Sequence, residues 1–427
     1  MHSKKKVLIR KCSQYNPAVI ANILREGLEE FGLIPKIQGK ITIKPNVVVA
    51  HSKIAPSAFT RHEFIDGLLQ SLEKEKRGNP TITIAEKCGV GIPTSRMFRR
   101  AGYYKLKKNH QVKVLPIEEA KKKTIPLQKG KIHEKIKTAR EILDRDFLIY
   151  TPKLKSNCLT HGLTGAVKLN IGLFLDKKRM WNHNFNLDEK IADSLEIGYP
   201  DFIVTDAIEI SIGGNHITQH GRHLGLIIMA DNPLAHDVVC AHIFQLDPTE
   251  IQHLRLAHER GYGPLDLEEI EIKGDVSLEE IRTKTKDWKT GFMRVDQVDC
   301  GMKVLSGEPY CTGGCHGVFL DWLYMIKDRK PKLWKNLPPW TVVIGKYDGD
   351  VSSERLMVIG SCSEIQGKVI AKKRRKIRGC PPRHKDLVLW MFLKTGIMNP
   401  LFRLDLIIDA YPFLFFSWCK RFFSGRF

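Results

Sequence analysis

Between Val7 and Leu115 the chain alternates short β-branched runs with amphipathic helical stretches. Val7-Leu8-Ile9, Ile41-Thr42-Ile43, Thr81-Ile82-Thr83-Ile84-Ala85 and Val112-Lys113-Val114-Leu115 have the length and composition of buried strands. Pro17 to Phe31 places apolar residues at 19, 20, 23, 24, 28 and 31, near-helical spacing. Thr60 to Glu73 reads as a second helix, with Thr60 as its N-cap and Glu63 three residues on. Ser95 to Ala101 begins a third. Such alternation points to an α/β fold: a mostly parallel sheet with helices on both faces. Downstream, Asp188–Leu195 and Pro233–Phe244 read as helices, and Phe202–Asp206 and Leu226–Ala230 as strands. The division expected is an α/β domain over 1–275, a smaller cysteine-containing module over 276–385 and an aromatic tail over 386–427. The lysine-rich segment 116–140 reads as an exposed basic insertion.

The densest chemistry lies between Phe147 and Gly172. Phe147-Leu148-Ile149-Tyr150 reads as a buried strand, and Pro152 is expected to end its pairing. Lys153 and Lys155 then fall on a loop at the strand's C-terminal edge, followed by Cys158, His161, the turn Thr164-Gly165-Ala166, Lys168 and Asn170. In open α/β sheets ligands gather beyond the carboxyl ends of the strands. Two other strands also run into lysines, at Lys44 (with Pro45 and Asn46) and at Lys87. Parallel strands would put these on one cationic rim, able to hold a carboxylate or phosphate by charge-assisted hydrogen bonds.

Several of these segments resemble the domain of unknown function 362 family. Lys44-Pro45-Asn46 resembles an early KPN motif, and Pro152-Lys153-Leu154-Lys155 with Thr164-Gly165-Ala166-Val167-Lys168 a central one. Asp206, Gly213-Gly214, Asp231 and Asp237 resemble a later segment. The likeness spans roughly residues 5–275. Asn157 stands where that family usually has histidine, and His161 is the substitute expected here. Many relatives look like iron–sulfur proteins through a ferredoxin-type cysteine run, which this chain does not have.

The ten cysteines are read first as metal or redox sites, because a reducing cytosol disfavours a disulfide framework. Cys311-Thr312-Gly313-Gly314-Cys315, Cys362 and the Cys380 of Gly379-Cys380-Pro381-Pro382 lie on glycine and proline turns. Four such thiols suit the Cys₄ shell of a [4Fe–4S] cluster, with zinc the alternative. The expected catalytic residues are Lys153, Lys155, His161, Lys168 and Asp237. The expected substrate-binding residues are Lys44, Asn46, Thr164, Gly165, Asn170 and Asp206. His216, His220 and His223 read as a solvated loop.

A formal charge of +22 implies an anionic partner. The cations are spread over clusters at 4–11, 99–108, 121–137, 177–179 and 371–378, with no nucleic-acid-binding signature beside them. Nucleic acid is therefore the weaker expectation, behind an anionic small molecule and a redox protein partner. No apolar run reaches the ~18 residues of a membrane span, and the N-terminus does not read as a secretory signal. A cytoplasmic protein is expected, with peripheral contact at the inner membrane face through the aromatic and basic residues of 386–427. Three functional classes stand: an iron–sulfur oxidoreductase acting on an anionic small molecule or a redox partner; a non-redox Lys/His enzyme with structural zinc; and a nucleic-acid or acidic-membrane binder.

Overall fold

The computed structural model describes residues 4–213, 220–290 and 293–382, with isolated positions beyond 382. In chain order the strands are β1 (Lys5–Lys11), β2 (Lys40–Pro45), β3 (Thr81–Glu86), β4 (Val112–Pro116), β5 (Lys122–Pro126), β6 (Lys135–Ala139), β7 (Phe147–Thr151) and β8 (Lys153–Asn157). There follow β9 (Gly162–Thr164), β10 (Phe202–Ile212), β11 (His220–Ala230), β12 (Ile270–Gly274), β13 (Lys303–Ser306), β14 (Thr341–Tyr347), β15 (Val351–Ile365) and β16 (Val369–Ile377).

The main sheet runs β12-β1-β11-β10-β7-β2-β3-β4, with β8 joined to β10 and β9. β10, β7, β2, β3 and β4 are parallel neighbours; β11 is antiparallel to both β1 and β10. Both faces are covered, and the sequence shows why. Phe147 and Ile149 enter a core with Leu24 and Leu68 of the helices Pro17–Glu30 and His62–Glu75. Leu148 and Tyr150 enter the opposite core, with Ile191 and Val238 of the helices Leu187–Ser194 and Pro233–Ile243. A strand buried on both sides is a continuous apolar run, which is what 147–150 is.

A second sheet, β13-β14-β15-β16, is parallel throughout and packs with the helix Cys315–Arg329. Cys158 and Leu159 of the main domain belong to that core, so the two sheets meet at the turn between β8 and β9.

Four local expectations are corrected. Lys153 to Asn157 is not a rim loop but strand β8, buried at every residue. Pro152 sits between two strands, where its missing N–H costs nothing to a ladder. Thr60 does not cap its helix; it donates to Thr151 O at 2.7 Å, and the helix starts at His62 after Arg61. The basic 116–140 segment contains the hairpin β5–β6, whose Ile136 and Ala139 are buried with Phe174. The region holding His220 and His223 is the start of β11 rather than loop, while His216 lies outside the described residues. The tail expected to touch a membrane lies, isolated positions apart, outside them as well. One of those positions, Asp405, is 2.7 Å from His51 Nε2. Among the described residues no helix is long and apolar enough to cross a membrane.

Candidate functional site: a buried lysine cluster beside a four-cysteine cavity

The strand-end lysines fall into two kinds. Lys44 closes β2 and is fully buried. Its Nζ lies 2.7 Å from Glu86 Oε2, at the end of β3, and donates to Leu169 O at 2.7 Å. Lys153 opens β8, also fully buried, with Nζ 2.9 Å from Asp206 Oδ1 and 2.8 Å from the Tyr15 hydroxyl. Both are internal clamps with matched counter-charges.

Lys155 differs. It lies two residues on, hence on the same face of β8. It is 1% exposed, and it makes no ion pair among the described residues. Its Nζ donates to Ala58 O at 3.1 Å. Burial, with the neighbouring Lys168 charge adding to it, pushes its pKa down to about 7. Thr164 is directly opposite Lys155 in the β8–β9 ladder, so their side chains share a face. The Thr164 hydroxyl is buried without a partner, as is Asn46 Oδ1. Lys168 is half-buried and makes no hydrogen bond or ion pair among the described residues; burial and then Arg179 push it down to about 8. Buried polar groups are ordinarily paired. Lys155 and Lys168, near enough for their charges to oppose each other, and the unpartnered Thr164 hydroxyl opposite Lys155 are under-paired for their burial.

The turn carrying Lys168 is fixed from behind. Asp237 accepts from Ala166 N–H at 2.7 Å and Val167 N–H at 2.9 Å, and its Oδ1 lies 2.6 Å from His236 Nδ1. His236 Nε2 is in turn 2.7 Å from Thr205 Oγ1. A Cβ on Gly165 would fall 2.2 Å from Asp237 Oδ1, so only glycine lets the carboxylate approach. Asn170 accepts from the Tyr150 hydroxyl at 2.6 Å and donates to Val167 O at 3.2 Å. Asp237, Gly165 and Asn170 therefore position the turn, and their polar atoms are spent inside it. Asp206 is spent likewise, on Lys153, Tyr15 and the Arg61 N–H.

A cavity of about 50 Å³ is lined by Cys311, Cys315, Cys362, Cys380, Asn184 and His316, among others. Cys311 and Cys315 precede and open the helix Cys315–Arg329; Cys362 lies in β15 and Cys380 just past β16. A Cβ on Gly314 would sit 2.6 Å from Cys311 Sγ, and one on Gly360, at φ +105°, 3.0 Å from Cys315 Sγ. These glycines give the sulfurs their room. Asn184 donates to Cys380 Sγ at 3.3 Å, and His316 Nδ1 accepts the Cys311 N–H at 3.0 Å. Burial first, then the neighbouring thiols, pushes Cys311 and Cys315 up to about 12. A cationic centre among them would reverse that balance.

Among the described residues no group of three or more His, Cys, Asp or Glu side chains is arranged to hold a metal ion. A water needs roughly 10–15 Å³ by the same measure, so this cavity is several times larger. Four thiols around one space are the donor set of a Cys₄ iron–sulfur cluster and of a structural zinc site alike.

With this geometry in view, comparison with known proteins is informative for the first half. Residues 41–242 match the family described as Domain of unknown function (DUF362). No curated protein matches the chain. Among solved structures, the lactate racemase apoprotein from Thermoanaerobacterium thermosaccharolyticum is similar over 79% of this chain and 69% of its own, at 12% identity and a TM-score of 0.36.

The DUF362 segment thus contains the lysine cluster and Asn184, but none of the four cysteines. The two halves touch. Cys158 Sγ lies 3.5 Å from Asp321 Oδ1, and a Cβ on Gly317 would be 2.8 Å from Leu159 Cδ2. Asp321 is six residues along the helix that begins at Cys315, roughly 9 Å by helical rise. The sheet brings together Lys155, Thr164 and Lys168. His161 sits at φ +49°, where burial lowers its pKa; the Asp188 charge acts on it as it does on Lys168. Sequence reasoning missed Glu86, Tyr15, Asn184 and Asp321. Glu86 alone had a local signal, as an acid ending a strand beside the one that ends in Lys44.

Proposed function

We propose that the chain is an iron–sulfur redox protein. On this reading Cys311, Cys315, Cys362 and Cys380 hold a [4Fe–4S] cluster, and Lys155, Lys168 and Thr164 bind a small anion, a carboxylate or phosphate. The observation that carries it is the meeting of four cysteines from three separated segments around one cavity. When bound, a cluster of this kind supplies one-electron chemistry, at a potential set partly by hydrogen bonds to its sulfurs. Asn184 is placed to give one such bond. The chain's own contribution at the other half is to desolvate and orient the anion, the lysines acting as charge-assisted donors.

Protein purified without oxygen should contain iron and acid-labile sulfide in about a 1:1 ratio, with four irons per chain as the full complement. Cys380→Ser should lose most of that iron while keeping the far-ultraviolet circular dichroism of the parent, because Cys380 is exposed and packs no core. One zinc per chain with no sulfide would overturn the reading in favour of a structural zinc site.

The lysine half has its own test. Anion binding favours the protonated amines, so it raises their pKa values above the free values of about 7 and about 8. Affinity is then full below pH 7 and falls as pH rises through 7 to 9. Titration with sulfate, whose own charge is constant over this range, should show that fall, and Lys155→Met should bind weakly and keep only the part of the pH dependence that comes from Lys168, near 8 and above. A pH-independent affinity in both proteins would remove Lys155 from the site.

A further inference from the structure

Strand β16 reads Val-Ile-Ala-Lys-Lys-Arg-Arg-Lys-Ile, and the five cations Lys372 to Lys376 are all exposed. Among the described residues it pairs only with β15, so it forms an edge of the second sheet. Most of its charge is unspent. Lys372 meets Glu354, and Lys376 donates to Ser363 O, but Lys373, Arg374 and Arg375 make no ion pair among the described residues. Lys373 stands directly opposite Arg355 in the ladder. Like charges so placed destabilise a sheet, and nothing inside this sheet compensates them.

The edge leads to the cysteine cavity. Cys380 is three residues beyond Ile377, within roughly 11 Å of it even if the chain is fully extended. Register places Cys362 on the same side: Ile359 is paired with Ile377, eighteen residues on, the offset that also separates Cys362 from Cys380. Cys362 and Cys380 are the exposed members of the four. The basic edge and the exposed pair of cysteines are therefore neighbours.

We propose that β16 is the docking edge for an acidic electron-carrier protein, seated over Cys362 and Cys380. The proposal rests on the iron–sulfur reading and adds to it the surface and the kind of partner. Complementary charge would steer the carrier to the face that carries the exposed Cys362 and Cys380. One electron would leave the carrier's reduced centre and enter the group held by the four cysteines; no bond forms and no proton need move. Single-stranded nucleic acid fits less well, because its grooves combine cations with aromatic stacking platforms, and the strand has no aromatic residue. A membrane surface wants a set of apolar side chains beside the charges, where this strand exposes Ile370 as its one strongly exposed large apolar residue.

The test compares the full chain with Lys373→Glu/Arg374→Glu/Arg375→Glu. These side chains are exposed, so the variant should fold and keep its iron. The probe is an acidic plant-type [2Fe–2S] ferredoxin, with binding measured by titration calorimetry at low and at 0.3 M salt. The parent should bind at low salt and weaken steeply as salt rises. The variant should bind about tenfold or more weakly, with a flattened salt dependence. Equal ferredoxin affinity in the two proteins overturns the docking edge, as does tighter, charge-reversal-sensitive binding to a single-stranded oligonucleotide or to phosphatidylserine vesicles. Binding does not require the cluster, and iron and sulfide assayed on the same samples report separately on the reading beneath it.

Discussion

Asp206→Ala is expected to destabilise the protein by about 3–5 kcal/mol, the cost of leaving one member of a buried ion pair without the other. Lys153 and Asp206 are both fully buried, 2.9 Å apart. Asp206 also accepts from the Tyr15 hydroxyl at 2.8 Å and the Arg61 N–H at 3.2 Å. Burial and the Asp206 charge both raise the Tyr15 pKa, so the phenol stays a neutral donor to that carboxylate. The network joins the turn after β1, the segment before the second helix, β8 and β10. Without Asp206, the Tyr15 oxygen is the hydrogen-bond partner left to Lys153 among the described residues, and burial, which already lowers its pKa, would favour the neutral amine. The double variant Lys153→Met/Asp206→Leu should recover most of the loss, since replacing a whole buried pair with apolar residues is often close to neutral. Urea midpoints at constant slope measure both. A single-variant loss below about 1 kcal/mol would mean that the pair does not clamp these elements.

This pair also shows where the sequence stops being legible. Strand β7 was readable because residues 147–150, buried on both faces, are apolar at every position, and β2, β3 and β10 because each holds a short run of β-branched and apolar residues. Lys-Leu-Lys-Ser-Asn at 153–157 has the composition of a solvated loop, yet every residue of it is buried. Its counter-charge at Asp206 is more than fifty residues away, and no local pattern encodes such a partner. Lys44 and Glu86 are the easier case, because each ends a strand and the two strands are neighbours. Asp237 follows the histidine it touches and looked like half of an acid–base pair, while its main contacts are N–H groups about seventy residues earlier. For the cysteines, Cys311 and Cys315 are a local pair that spacing alone exposes. Cys362 and Cys380 come together through the eighteen-residue register of β15 and β16, which periodicity does not reveal. Asn184 reaches Cys380 from the DUF362 segment, across nearly two hundred residues, and carries no sequence signal at all.

Asp237→Ala should be the other severe loss, about 3–6 kcal/mol. It strips acceptors from the Ala166 and Val167 N–H groups and from His236, and each buried group left unpaired costs roughly 1–3 kcal/mol. Asp237→Asn separates a positioning role from a catalytic one. Asparagine keeps one acceptor oxygen but turns an NH₂ toward either an N–H or the imidazole. If Asp237 holds the turn, this variant is destabilised by an intermediate amount, and its sulfate affinity falls because Lys168 rides on the same turn. A catalytic carboxylate would behave in the opposite way, the asparagine variant keeping its denaturation midpoint and its sulfate affinity. The fully buried Asp237 already favours the first outcome. So does Gly165, whose missing side chain leaves just enough space for that carboxylate to reach two consecutive backbone donors.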